Sequence, residues 1–225
     1  MTITTTRARA GASGRAGWLI PLGLIALALI PMAGGVFRLT MLHGGAAITP
    51  ENARFFASPL PVILHIASAS LYCVLGAFQF VPGILRRYPV WHRLAGRLLL
   101  LAGLLAAFSG IWMASFYAIV PADSPLLHAF RLFFGAAMAA SLVVGFLVIL
   151  RRQVSAHQAW MRRAYAIGQG AGTQALTQIP LVMLFGKLEP NTLALAMGGA
   201  WVLNLAVAEW LIRRKQPARP RPALA

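Results

Sequence analysis

Six long apolar runs alternate along this chain with short connections that carry most of its charge: residues 18–36, 59–81, 90–119, 126–150, 160–185 and 191–212. About 20 apolar residues in helical conformation cross the hydrocarbon core of a bilayer. Within that core every backbone N–H and C=O must be satisfied inside the segment, so runs of this kind predict helices. The pattern therefore predicts an all-α fold, a six-transmembrane-helix bundle whose four central helices, spans two to five, carry the polar positions. Residues 17–213 form the expected membrane domain. Residues 1–16 and 214–225 lack apolar periodicity and are expected to be disordered cytoplasmic tails.

The connections have their own signals. Residues 37–58 form the longest, broken by Gly44-Gly45. There Thr49-Pro50-Glu51 predicts the start of a short interfacial helix bearing Phe55 and Phe56, with a cap followed by proline at the first helical position.

Polar residues inside the runs fall on faces. His65, Ser68, Tyr72, Gly76 and Gln79 recur at helical spacing in the second run, and Gln169, Thr173 and Thr177, with Gln174 and Gln178 beside them, do so in the fifth. In lipid such stripes must turn toward other helices or a cavity. Gly96, Gly103 and Gly110, seven residues apart in the third run, predict a seam for close helix packing.

Composition agrees with a bilayer setting. The chain is 59% hydrophobic and 11% charged, with a mean hydropathy of +0.73. Its net charge of +16, from 20 Lys and Arg against 4 Asp and Glu, would suggest nucleic acid in a soluble protein. Here no soluble basic face exists to take it, and nucleic acid is excluded as a partner. Sixteen of the basic residues lie on one side of the expected topology; only Arg38, Arg54, Arg131 and Lys187 lie on the other. The positive-inside bias then places both termini in the cytoplasm. Cys73 is the single cysteine, so no disulfide can form within the chain. The lack of H-E-x-x-H and the scarcity of carboxylates exclude zinc hydrolase chemistry, and the lack of midspan acids argues against a proton- or cation-coupled transporter.

The histidines supply the candidate chemistry. His43 falls in the outer loop and has no evident role. His65 and His128 mark the outer ends of spans two and four; His92 and His157 mark the inner ends of spans three and five. Bis-imidazole ligation of haem iron needs two histidines at one depth on different helices, and by span position both pairs meet that condition. Arg97 and Arg163, near the inner pair, would serve as bidentate partners for haem propionates or another acid, or as orientation charges bound to lipid phosphate. Trp91 and Trp160 read as interfacial anchors. Glu209 would pair with Arg213 along its own helix or cross to Arg97 or Arg163, and Asn204 would bond a neighbouring helix.

The topology and histidine order resemble the cytochrome b-561 group of transmembrane electron carriers, which implies one or two b haems on His65 with His128 and on His92 with His157. The segments H-I-A-S-A-S-L-Y-C-V-L-G-A-F-Q-F, H-R-L-A-G-R and H-Q-A-W-M-R-R-A-Y-A resemble the bacterial membrane family called domain of unknown function 2306, from His65 to about Thr177. That resemblance implies a bacterial inner-membrane protein and no established activity. The leading expectation is a haem b electron carrier tuned by Ser68, Tyr72 and Gln169, with the lipid bilayer, a quinone or small reductant, and a second copy of the chain as partners. The alternative is a cofactor-free protein that binds an anionic lipid, a quinone or a small anion at the inner His/Arg cluster.

Overall fold

The computed structural model describes residues 10–120 and 123–214, so the expected tails lie outside it except for 10–16 and Arg214. Among the described residues there are nine α-helices and no strand. The first, α1, runs Ala10–His43. It is longer at both ends than its apolar run, because flanking polar residues do not stop a helix whereas Gly44-Gly45, with Gly45 at φ +63, does. Residues 10–16 are therefore helical, and His43 belongs to the last turn of α1 instead of the loop.

A short helix, α2 (Ala53–Ala57), does carry Phe55 and Phe56. It starts later than expected because Asn52 organises the turn. The Asn52 side chain accepts from the Thr49 N–H at 2.7 Å and donates to the Ala47 carbonyl at 3.0 Å.

Prolines then set most helix starts. Four helices open on a proline at their first position: α3 (Pro59–Ala77, extended by a 3-10 turn at Phe78–Phe80), α4 (Pro82–Arg87), α5 (Pro89–Phe116) and α6 (Pro125–Leu150). Proline's missing N–H is no loss there and its φ is already helical. The last long helix, α9, also begins at a proline (Pro190–Arg214).

The fifth run differs most from expectation. Its helix begins at Val154, breaks at Gln169, and is divided into α7 (Val154–Gly168) and α8 (Gly170–Phe185). Neither piece spans a bilayer alone. Among the described residues, five helical segments are long and apolar enough to cross one: Trp18–His43, Pro59–Phe80, Pro89–Phe116, Pro125–Leu150 and Pro190–Arg214. The break has a side-chain cause that periodicity does not reveal. Buried Gln169 turns its amide back to the Tyr165 hydroxyl at 2.7 Å and across to the Leu24 carbonyl at 3.3 Å, while Gly168, Gly170 and Gly172 leave the backbone free to bend.

Packing follows the small residues. Helix α5 lies between α3 and α6, α6 packs on α7, α9 covers α6, α7 and α8, and α1 lies against α3 and α8. In lipid the apolar effect between helices is lost and close van der Waals approach holds them. Gly103 allows Tyr72 of α3 and Leu142 of α6 to meet on α5, and Gly110 seats His65; Gly96 faces open space, so the seam has two members. Tyr72, Phe134, Met138, Leu142 and Tyr165 fill the centre. Leu101, Phe133 and Leu195, each over 60% exposed, point outward as a lipid-facing surface requires.

At the end opposite most of the arginines, Asp123 accepts from Arg54 at 2.8 Å and Arg131 at 2.9 Å, tying α2 to α6. Burial would raise the Asp123 carboxyl, but the Arg54 hydrogen bond and the charges of Arg131 and Arg54 outweigh it and hold the group below its ordinary 3.8. A depressed carboxylate contributes stability that is present above its unfolded value and lost as pH falls through its folded one. Thermal unfolding followed from about pH 6 down to about pH 2 should show a falling midpoint that Asp123→Asn flattens while lowering the neutral-pH value. An unchanged profile in the variant would remove Asp123 as the cause.

Candidate functional site

The basic end of the bundle gathers the starts of α5 and α7. His92 stands in the first turn of α5, where its N–H donates to the Tyr88 carbonyl at 3.1 Å. His157 stands in the first turn of α7, and its Nδ1–H donates to the Gly145 carbonyl of α6 at 2.8 Å. A carbonyl can only accept, so Nδ1 carries the proton and Nε2 keeps a lone pair. The inner histidines thus stand in the first turns of two different helices, α5 and α7, at the same end of the bundle.

Two buried nitrogens at this end lack a hydrogen-bond partner among the described residues: His92 Nδ1 and Gln79 Nε2. The register sets their depth. Tyr72 meets Gly103; seven residues beyond Tyr72 is Gln79, and seven before Gly103 is Gly96, about one helical turn from His92. Gln79 is the last position of the stripe beginning at His65.

The outer histidines do not share a depth. His65 Nδ1–H donates to the Ala106 carbonyl at 2.9 Å beside Ser109 Oγ at 3.2 Å, which sets His65 against the middle of α5. Gly135 of α6 faces the same level, near the Ala107 carbonyl and Ile111. His128 precedes Gly135 by seven residues and so lies about 10 Å further out. The apparent match came from counting positions by span, which does not register how far α3 and α6 slide along α5.

The arginines assigned to the inner pair point elsewhere. Arg97 is exposed, five residues and so about 140° around α5 from His92. Arg163 turns to α9 and grips Glu209 in a bidentate pair, Nε to Oε1 at 2.5 Å and a terminal nitrogen to Oε2 at 3.1 Å. Glu209 therefore takes the crossing alternative. Of the polar groups expected to surround a cofactor, Ser68 donates to the Leu64 carbonyl of its own helix at 2.6 Å, and the Gln169 amide nitrogen is spent on Tyr165 and on Leu24 of α1. Asn204 bonds across helices as expected, accepting from Thr173 at 2.8 Å and donating to the Ala166 carbonyl at 3.1 Å.

A family model described as predicted membrane protein (DUF2306) matches residues 62–212, about two thirds of the chain. No curated protein and no solved structure matches it. The chain belongs to the DUF2306 family, and the matched region holds α5 through α8, Gln79 and both members of the inner pair.

Proposed function

We propose that this member of the DUF2306 family crosses the membrane six times, α7 and α8 together making the fifth crossing, and binds a quinone-type ligand among His92, His157 and Gln79. The arginine-rich end then faces the cytoplasm, with both termini, in a bacterial inner membrane. The observation that carries the reading is the pair of buried, unpartnered nitrogens, His92 Nδ1 and Gln79 Nε2. An unmet buried donor costs about 1–3 kcal/mol. The Gln79 amide nitrogen can only donate and imidazole takes either role, so one ligand oxygen class, a carbonyl acceptor, satisfies both. At this depth a quinone ring sits by the headgroups while its tail stays in hydrocarbon.

A second reading keeps the leading sequence expectation in reduced form. With Nδ1–H anchored on Gly145, His157 is oriented as iron-ligating imidazoles are. His92 and His157 would be the residues holding a single b haem, which would supply one-electron transfer. His65 and His128, offset in depth, do not fit the outer position. Arg97 and Arg163 do not fit as propionate partners. The haem reading thus explains two imidazoles and leaves Gln79 unexplained, which ranks it second.

The test is titration of the protein in lipid nanodiscs with a short-chain benzoquinone, followed by fluorescence of Trp91 and Trp160, which neighbour the two histidines in sequence. Saturable quenching is expected. Quenching that rises linearly, as for partition into lipid, would contradict the site. A dithionite-reduced minus oxidised spectrum of haem-replete protein that shows b-type bands, lost in His92→Leu, would favour the second reading.

A further inference from the structure

We propose that the depression on α9 at the basic end binds the phosphate of an anionic phospholipid. This site is separate from the histidine pair and does not rest on the quinone reading. Ala206, Glu209, Trp210, Arg213 and Arg214 line a shallow, open depression along one face of α9.

Its charge is arranged, and the arrangement decides what it attracts. Glu209 stands four residues before Arg213, the spacing of a helix ion pair, yet its two oxygens are taken by Arg163 of α7. That pair neutralises Arg163 and pins α9 to α7. Arg213 and Arg214 make no hydrogen bond to a described group and remain as two positive charges in the last turn of α9. The negative end of the helix dipole, about half a charge, offsets only part of them.

The guanidinium of Arg214 is also oriented in advance. It lies 4.0 Å over the Trp210 ring, and Arg163 lies 4.7 Å over Trp160. A stacked, planar fork gives up little freedom on meeting a phosphate. The flank of the depression selects a lipid over a free anion. Leu203, Val207, Trp210 and Leu211 are between 42% and 54% exposed along the same helix, which gives acyl chains an apolar wall that free phosphate would not use. Basic surfaces at the ends of membrane helices attract anionic headgroups in this way.

The experiment is native mass spectrometry of the full chain released from nanodiscs of equal phosphatidylglycerol and phosphatidylcholine. Wild type should retain phosphatidylglycerol over phosphatidylcholine by about thirtyfold, the factor two arginines can supply. Arg213→Gln/Arg214→Gln should lose that preference, whereas Arg86→Gln/Arg87→Gln, which removes equal charge at the same end, should keep it. Arg213→Lys/Arg214→Lys keeps the charge and loses the fork, which covers the case in which the glutamine pair fails to fold; its preference should fall between the two. Equal loss in both glutamine pairs would reduce the effect to general surface charge and overturn the site. So would a lysine pair that matches wild type. Displacement of the lipid by millimolar inorganic phosphate would overturn the lipid assignment in favour of a free anion.

Discussion

Valine at Gly172 will keep α1 from docking, and the purified protein will lose its sharp thermal transition. A Cβ on Gly172 would fall against the Leu27 carbonyl oxygen of α1, with Leu27 Cγ at 2.7 Å and the carbonyl carbon at 2.9 Å. Backbone cannot rotate away as a side chain can, so the strain passes to the whole α1–α8 contact. In water a displaced helix would still be driven back by its apolar surface. In lipid it is not, because acyl chains are as apolar as leucine. The cost should reach or exceed the upper end of overpacking effects, about 3 kcal/mol. Gly96→Val is the matched control, since nothing lies within 4 Å of the position its Cβ would take. Size-exclusion fluorescence during a temperature ramp reads both. A Gly172→Val protein that melts like wild type would mean that α1 does not approach α8 as described.

Leucine at His92 will weaken quinone binding about tenfold, and leucine at Gln79 will do the same, each by removing one hydrogen bond to the ligand. The two need not add. If both groups bond the same carbonyl, the double variant will lose less than the product of the single effects, and that shortfall measures their coupling. His157→Leu should weaken binding too and should also loosen the α6–α7 hairpin, because its Nδ1–H holds the Gly145 carbonyl. Arg97→Gln should leave affinity unchanged, since Arg97 lies on the exposed side of α5. Dissociation constants in nanodiscs decide the matter. An Arg97 effect as large as that of His92 would return the site to the arginines.

Much of this architecture was legible in the apolar runs, because twenty-residue segments in hydrocarbon have few options. Helices α3, α5 and α6 begin on Pro59, Pro89 and Pro125, at or one residue before the starts of their apolar runs. Three things were not legible, each for a physical reason. The break at Gln169 depends on a bond to Leu24, 145 residues away in sequence, and no local pattern encodes it. The start of α2 moved to Ala53 because Asn52 competes for the backbone of its own turn. The depth of His128 relative to His65 depends on how far α6 slides along α5. That slide is fixed by Gly135 against Ile111, a packing contact rather than a sequence interval. His92 and His157 each lie in the first turn of their helix at the basic end of the bundle.

The most direct measurement is photolabelling with an azido-benzoquinone in nanodiscs, followed by peptide mapping. The proposed site predicts label concentrated at Phe78–Phe80 and in the first turns of α5 and α7, competed by unlabelled benzoquinone and reduced in His92→Leu. Label spread along the lipid-facing leucines, or gathered at the opposite end in the cleft of Leu39, His43, Phe56 and Ile63, would contradict it.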